Sequence, residues 1–105
     1  LGNGYDHCWV LNDFDGSVRK VATASSDKSG IQMELYTDQP GVQLYTGNFL
    51  NGSLKSKQDL KYEKQSGFCL ETQHFPDSPN KNFFPSVYLS PGEKFKSKTI
   101  FKFIN

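Results

Sequence analysis

Closely spaced turn-forming residues are the feature that most constrains the fold of this chain. Clusters of glycine, proline, asparagine and aspartate interrupt it at residues 12–17, 27–30, 38–41, 76–82 and 90–93. The segments between them are short, and several alternate apolar and polar residues with the period of a β-strand. Residues 50–65 form the longest candidate helix, but their apolar residues make no helical stripe, which indicates a long surface loop. The sequence therefore predicts an all-β fold.

The predicted strands differ in how clearly they alternate. They are residues 5–11, 17–26, 31–38, 42–46, 66–73, 87–89 and 94–104. In residues 31–38 apolar side chains alternate cleanly with polar ones, and the tail alternates phenylalanine with lysine, so both read as half-buried strands. Residues 68–72 are apolar on both faces and need covering layers that a chain of 105 residues is too short to supply.

Charge and cysteine content exclude several classes of protein. The formal net charge is +1, and Arg19 is the only arginine, so neither nucleic acid nor a phosphate-rich ligand is expected. No apolar run is long enough for a transmembrane helix, and a membrane is not expected as a partner either. Cys8 and Cys69 lie in apolar segments without CxxC spacing, which favours reduced, buried thiols. Reduced thiols are typical of a reducing compartment, so we expect a cytoplasmic location.

A carboxylate lies inside the most strand-like stretch, residues 66–73 (SGFCLETQ). We expect this strand to be buried, where an ionised glutamate is costly unless it is paired or used. Strand geometry places Glu71 on one face with Cys69 and Gln73. Glu71 is therefore a candidate for a polar site in the wall of a sheet. A structural ion pair is the alternative.

Other polar residues lie in strands without showing a role of their own. Asp6 and His7 are neighbours, so on a strand they face opposite ways and cannot form an acid–base pair with each other. Asp6 could equally cap a turn, and His7 alone is typical of a core or edge histidine. Gln43 interrupts an apolar strand, either as a buried amide with partners or as a solvent-facing side chain.

Three motifs together resemble the aldose 1-epimerase family. They are residues 4–7 (GYDH), 39–48 (QPGVQLYTGN) and 66–73 (SGFCLETQ), and the turn at residues 91–93 (PGE) with the final strand also fits. The resemblance covers only the C-terminal part of that family. It implies an antiparallel β-sandwich in which residues 1–105 are the C-terminal part of a single domain, a larger galactose-mutarotase-like supersandwich. The chain is then expected to be a fragment that needs the upstream part of the same protein as its partner.

The resemblance also implies a reaction, the interconversion of the α and β anomers of an aldohexose such as galactose or glucose. Glu71 corresponds to the general base, and Asp6 to a residue that hydrogen-bonds sugar hydroxyls. A glutamine lines the pocket, with Gln43 as first choice and Gln39 as second. The family's acid histidine belongs to an upstream motif that neither His7 nor His74 matches. No metal or organic cofactor is implied, and this chain alone is expected to be inactive.

Two alternatives remain open from the sequence. A non-catalytic carbohydrate-binding module would use Trp9, Tyr45 or Phe75 as stacking surfaces and would not need Glu71. A hexose-6-phosphate 1-epimerase on a similar sandwich would need arginines for the phosphate, for which Arg19 alone is weak support.

Overall fold

The computed structural model describes residues 2–105, in which β-strands are the only extended elements. The strands are β1 (Asp6–Val10), β2 (Arg19–Ser25), β3 (Gln32–Thr37), β4 (Gly41–Tyr45), β5 (Cys69–Gln73) and β6 (Thr99–Ile104). One 3₁₀ turn, Ser78–Asn80, is the sole helical element of the described part. Residues 2–105 contain no helix with the length and apolarity to cross a membrane. The all-β class expected from the spacing of turns is confirmed.

The six strands form two antiparallel sheets of three strands each. Sheet A has the order β1-β4-β5, and sheet B has the order β2-β3-β6. The chain crosses from sheet B to sheet A between β3 and β4, where Thr37 and Pro40 are fully buried. Proline favours such a crossing because it fixes its own φ and has no N–H that would need a hydrogen-bond acceptor.

Register defines the two faces of sheet A. Asp6 pairs with Tyr45, while Gln43 pairs with Cys8 on one side and with Glu71 on the other. Because side chains alternate along each strand, these residues share one face, which we call the outer face. The inner face of sheet A carries Trp9, Val42, Leu44, Leu70 and Thr72.

The inner faces of the two sheets meet over a small core. Thr72 of sheet A and Thr99 of sheet B are hydrogen-bonded through their hydroxyls, which identifies the facing surfaces. Leu35 of sheet B is fully buried and Val42 of sheet A nearly so, at 5% exposure. A cavity of about 380 Å³ remains between the sheets, lined by residues that include Trp9 and Phe68. Both of those aromatic side chains are about half exposed.

Several predicted strands differ from the observed ones. Residues 87–89 form no strand, and the Tyr88 hydroxyl instead donates to the Pro79 carbonyl at 3.0 Å. The final strand is shorter than predicted and begins at Thr99. The strand containing Glu71 is present, but Glu71 and Cys69 are exposed rather than buried, because no described residue covers the outer face of β5.

The predicted loop at residues 50–65 contains no helix, as expected. It folds back on itself through one antiparallel bridge between Lys55 and Lys61. Lys55 also pairs with Asp59 at 2.7 Å across the tip of the loop.

Candidate active site

The outer face of sheet A gathers the polar residues that the sequence singled out. Its central row consists of Cys8, Gln43 and Glu71 on three adjacent strands. Neighbouring strands lie about 4.8 Å apart, and side chains on one face recur about every 7 Å along a strand. Asp6 and Glu71 are two strands and one row apart, so their backbones are separated by about 12 Å. That separation leaves space for a ligand between two carboxylates that point the same way.

Asp6 and Gln43 contact each other directly on this face. The Gln43 Nε2 group donates to Asp6 Oδ1 at 2.7 Å. A hydrogen bond to a carboxylate is short and relatively strong, so it fixes the orientation of the Gln43 amide. The amide nitrogen is turned toward Asp6, and the amide oxygen remains free to accept from another group. Gln43 is half-buried in the central strand, between Asp6 of β1 and Glu71 of β5.

The Glu71 side chain is exposed and makes no hydrogen bond or ion pair with any residue between 2 and 105. It is the direct cross-strand partner of Gln43, whose β-carbon lies about 5 Å away in such a pair. The structural ion pair that the sequence left open is therefore absent from the described part of the chain. A free carboxylate beside a fixed amide can accept a proton or a hydrogen bond from a ligand.

Gly41 leaves space for two polar side chains next to the central row. A β-carbon at Gly41 would lie 3.0 Å from Cys8 Sγ and 3.1 Å from the Phe75 ring. Cys8 and Gln73 meet across this gap. Burial raises the pKa of the Cys8 thiol, and a hydrogen bond from Gln73 opposes that shift. Cys8 is therefore a neutral thiol near pH 7, unsuited to act as a nucleophile.

Aromatic side chains close the two ends of the outer face. Phe75 lies over Gly41 at one end and stacks edge-on against Phe84, with ring centroids 5.0 Å apart. Tyr45 lies at the other end, where its hydroxyl accepts the Phe49 N–H at 3.1 Å. Gly41 and Tyr45 are four positions apart on β4, a distance of about 14 Å. The outer face therefore carries polar side chains between two aromatic ends, and we call this polar region the trough.

Gln39, the second-choice pocket glutamine, lies away from the trough. It is 6% exposed, and its Nε2 donates to Asp38 at 3.2 Å and to Ser97 at 3.0 Å. Its Oε1 faces His74 Nδ1 at 2.8 Å, so the histidine carries its proton on Nδ1. With every group of the amide engaged, Gln39 has nothing left to offer a ligand.

Neither histidine of the chain lies in the trough. His7 alternates with Asp6 and Cys8, so it belongs to the inner face of sheet A, and its Nδ1 accepts the Asp6 N–H at 3.1 Å. His74 is bound to Gln39 at the crossing between the sheets. Neither histidine is therefore placed on the face that carries Glu71.

The residues of the alternative readings are also dispersed. Trp9 lies on the inner face of sheet A, whereas Tyr45 and Phe75 lie at opposite ends of the outer face. Arg19 donates to the carbonyls of Asn12, Thr37 and Gln39 and stacks on Phe14. Its guanidinium is therefore engaged in holding backbone rather than presented to a phosphate.

Metal binding has no candidate within residues 2–105, where no three histidine, cysteine, aspartate or glutamate side chains are grouped suitably. The contribution of Cys8 to the trough was not predicted from the sequence, and Phe75 was predicted only as a stacking surface of the alternative binding module. Gly41 marks the close approach of Cys8 and Phe75, but the sequence placed this glycine in the turn before the strand rather than within it.

Comparison with known proteins shows which family the chain matches. A model of the family described as aldose 1-epimerase matches residues 1–102. The chain is 52% identical over 103 residues to the galactose mutarotases of Bos taurus and Homo sapiens. It is 36% identical over 103 residues to the aldose 1-epimerase of Escherichia coli K12.

These matches cover nearly all of the chain but only part of each relative. They include 96% of this chain, and 29% of the mammalian and 30% of the bacterial protein. The chain thus spans less than a third of the length of the curated relatives it matches. Because the family model extends over almost every residue, the chain belongs to the aldose 1-epimerase family.

Proposed function

We propose that this chain supplies the general base and part of the sugar pocket of an aldose 1-epimerase. In this proposal it is the C-terminal part of one larger β-sandwich domain, and the full-length protein interconverts the anomers of aldohexoses such as galactose and glucose. The single observation that supports this most is the placement of Asp6, Gln43 and Glu71 on one face of sheet A. Family membership gives that constellation its chemical meaning.

Glu71 acts as the base. Its exposed carboxylate can take the proton of the anomeric hydroxyl. The electron pair of that O–H bond forms the C1 carbonyl as the bond from C1 to the ring oxygen breaks. The ring oxygen receives a proton from an acid. Rotation about C1–C2 and reclosure by the reverse steps give the other anomer, and the chemistry needs no metal or organic cofactor.

Asp6 and Gln43 hold the sugar while the ring opens. The Asp6 carboxylate has accepting capacity beyond its bond from Gln43, and it can accept from sugar hydroxyls. The Gln43 amide oxygen, directed away from Asp6, can accept from a hydroxyl closer to Glu71. Both contacts exist in the closed and open forms of the sugar, so they contribute mainly to binding rather than to the chemical step.

The acid comes from outside this chain. His7 and His74 are both engaged away from the trough, at 3.1 Å with Asp6 N and 2.8 Å with Gln39 Oε1. We therefore propose that a histidine in the remainder of the full-length protein faces Glu71 across the sugar. The same remainder would cover the outer face of sheet A and exclude water from the reaction.

The proposal is tested in the full-length protein with the substitution Glu71→Gln. The amide keeps the size of the side chain but cannot take the proton, so kcat for mutarotation of α-galactose should fall by about 10²–10⁴-fold. Polarimetry measures the rate, and calorimetry with the same sugar should show that binding is largely retained. Glu93→Gln, a substitution in the exposed turn that follows residue 90, serves as the matched control and should leave the rate unchanged.

Two results would contradict the proposal. Mutarotation that survives Glu71→Gln would remove Glu71 from the chemistry. Sugar binding without any mutarotation by the wild-type protein would favour the non-catalytic binding module instead.

We also propose a cytoplasmic location for the protein. Cys8 and Cys69 are both free thiols, which is typical of reducing compartments.

A further inference from the structure

A buried polar turn follows β4 and takes no part in the chemistry proposed above. It consists of Thr46, Gly47 and Asn48, and we call it the 46–48 turn. Gly47 and Asn48 are buried, and Asn48 is only 4% exposed. A buried amide is retained only when its hydrogen bonds are made, so its partners reveal what it holds.

Thr46 binds both backbone groups of Tyr5. Its N–H donates to the Tyr5 carbonyl at 3.1 Å, and its Oγ1 accepts the Tyr5 N–H at 3.0 Å. Tyr5 directly precedes Asp6, the first residue of β1. The entry of β1 into the sheet is thus fixed by a side chain as well as by the strand ladder.

Asn48 completes this arrangement. Its Nδ2 donates to the Tyr5 carbonyl at 2.8 Å, while its Oδ1 lies 2.7 Å from Thr46 Oγ1. A hydroxyl has one proton, and the shorter contact takes it, so Thr46 donates to Asn48 rather than to the Tyr5 carbonyl at 3.3 Å. The bond from Thr46 therefore determines which way the Asn48 amide faces.

Close packing explains why a glycine precedes Tyr5. A β-carbon at Gly4 would collide with Asn48 Oδ1 and would lie 2.8 Å from Thr46 Oγ1. The backbone of β1 can approach the turn this closely only without a side chain at that position. The motifs at residues 4–7 (GYDH) and 46–48 (TGN) are therefore in direct contact, although Gly4 and Thr46 are 42 positions apart in the sequence.

The same turn also contacts the segment that leads into β5. The Gly47 carbonyl accepts the Gln65 N–H at 3.0 Å. Gly47 has a φ of 66°, and a β-carbon there would lie 2.8 Å from the Gly67 carbonyl. One short turn therefore anchors the strand that carries Asp6 and the approach to the strand that carries Glu71.

We propose that Thr46 and Asn48 are positioning residues for the sugar site. They hold the Tyr5 backbone and so fix where the Asp6 carboxylate lies relative to Gln43 and Glu71. This role rests on the proposed function, because it needs Asp6 to contact the sugar. The two residues act through Asp6 and do not touch the sugar themselves.

The test uses the full-length protein with Thr46→Val and Asn48→Ala, each alone and each combined with Asp6→Asn. Each single substitution removes a hydrogen bond to the Tyr5 backbone and the bond between Thr46 and Asn48. KM for α-galactose should therefore rise about tenfold. The value of kcat should change less than about threefold, because Asp6 binds the sugar throughout the reaction. In the Asp6→Asn background the same substitutions should raise KM less than about twofold, because coupled residues are not additive.

Two controls separate positioning from stability. Thr46→Ser keeps the hydroxyl and should restore KM to near the wild-type value. Tyr36→Phe removes a half-buried hydrogen bond to Glu34 on the far side of sheet B, and it should lower the melting temperature without changing KM. If Asn48→Ala does not fold, the comparison of Thr46→Val with Thr46→Ser decides.

The proposal is overturned if folded Thr46→Val leaves KM unchanged, or if its effect adds fully to that of Asp6→Asn. Its failure is distinguishable from that of the proposed function. If Glu71→Gln is inactive but the effects of the Thr46 and Asp6 substitutions on KM are not coupled, only the positioning role is removed. An active Glu71→Gln variant removes the proposed function itself.

Discussion

At the scale of single residues, two glutamines only four positions apart in the chain have different environments. Gln43 lies on the outer face of sheet A and donates to Asp6 at 2.7 Å. Gln39 is buried at the crossing between the sheets and bonds Asp38, Ser97 and His74. One glutamine thus offers an oxygen to a ligand, whereas the other is occupied in holding the two sheets together.

This difference predicts opposite effects of substitution in the full-length protein. Gln39→Ala should lower the free energy of unfolding by about 1–3 kcal/mol, because it removes the side-chain hydrogen bonds of a buried amide, with little change in KM. Gln43→Ala should raise KM for α-galactose several-fold and change stability by less than about 1 kcal/mol. Chemical denaturation and steady-state polarimetry measure the two quantities. The reverse pattern would exchange the roles that we assign to the two residues.

At the scale of elements, the sequence predicted faces better than it predicted burial. Alternation correctly placed Glu71 with Cys69 and Gln73, and it separated Asp6 from His7, because the two-residue period is a local property of a strand. The pattern could not show that the outer face of β5 is uncovered, since covering depends on distant segments. It also predicted a strand at residues 87–89 that has no neighbouring strand to pair with.

The contacts among the GYDH, TGN and SGFCLETQ motifs were likewise beyond sequence reasoning. The hydrogen bonds from Asn48 and Thr46 to Tyr5 join residues more than 40 positions apart. Only the glycines at positions 4 and 47 hinted at a close approach of backbones there.

Charged residues on sheet B predict how stability depends on pH. A row of charged side chains, which we call the charge ladder, crosses the face of sheet B that points away from sheet A. Glu34 of β3 is flanked by Lys20 of β2 at 3.2 Å and Lys102 of β6 at 3.6 Å. The hydrogen bond from the Tyr36 hydroxyl, followed by that from Lys20, lowers the pKa of Glu34. The unfolded chain therefore binds a proton at Glu34 at a higher pH than the folded chain does.

The sign of the effect follows directly. The stabilisation from Glu34 is present above the ordinary glutamate pKa, about 4.3, and is lost as the pH falls through the lower folded value. In the full-length protein, the melting temperature should therefore fall less between neutral and acidic pH in Glu34→Gln than in the wild type. Asp27→Asn, in the exposed turn before β3, is the control and should preserve the decline. An unchanged decline in Glu34→Gln would show that the ladder carries no pH-dependent stability.

At the scale of the whole molecule, the chain is more open than its length requires. Its radius of gyration is 16.5 Å, whereas a compact domain of this length has about 13 Å. Its accessible surface is 8033 Å², whereas a compact monomer of this mass exposes about 5,900 Å². Exposed apolar side chains such as Phe103, at 68%, account for part of the excess. The sandwich is therefore incompletely covered by its own residues.

The openness predicts how the isolated polypeptide behaves. Residues 1–105 alone should bind a hydrophobic dye, unfold without a sharp thermal transition and show no mutarotation above buffer. The full-length protein should bind little dye and unfold cooperatively. A cooperative transition in the isolated polypeptide, with activity that Glu71→Gln abolishes, would show that these residues suffice for the site.

The most direct measurement is a crystal structure of the full-length Glu71→Gln variant with galactose bound. The anomeric oxygen should lie about 2.6–3.2 Å from the side chain at position 71, the reach required of a general base. Asp6 and Gln43 should contact other hydroxyls of the same sugar, and a histidine from the remainder of the protein should face the ring oxygen. A sugar bound elsewhere, or one whose anomeric oxygen lies beyond the reach of position 71, would contradict the assignment of Glu71 as the base.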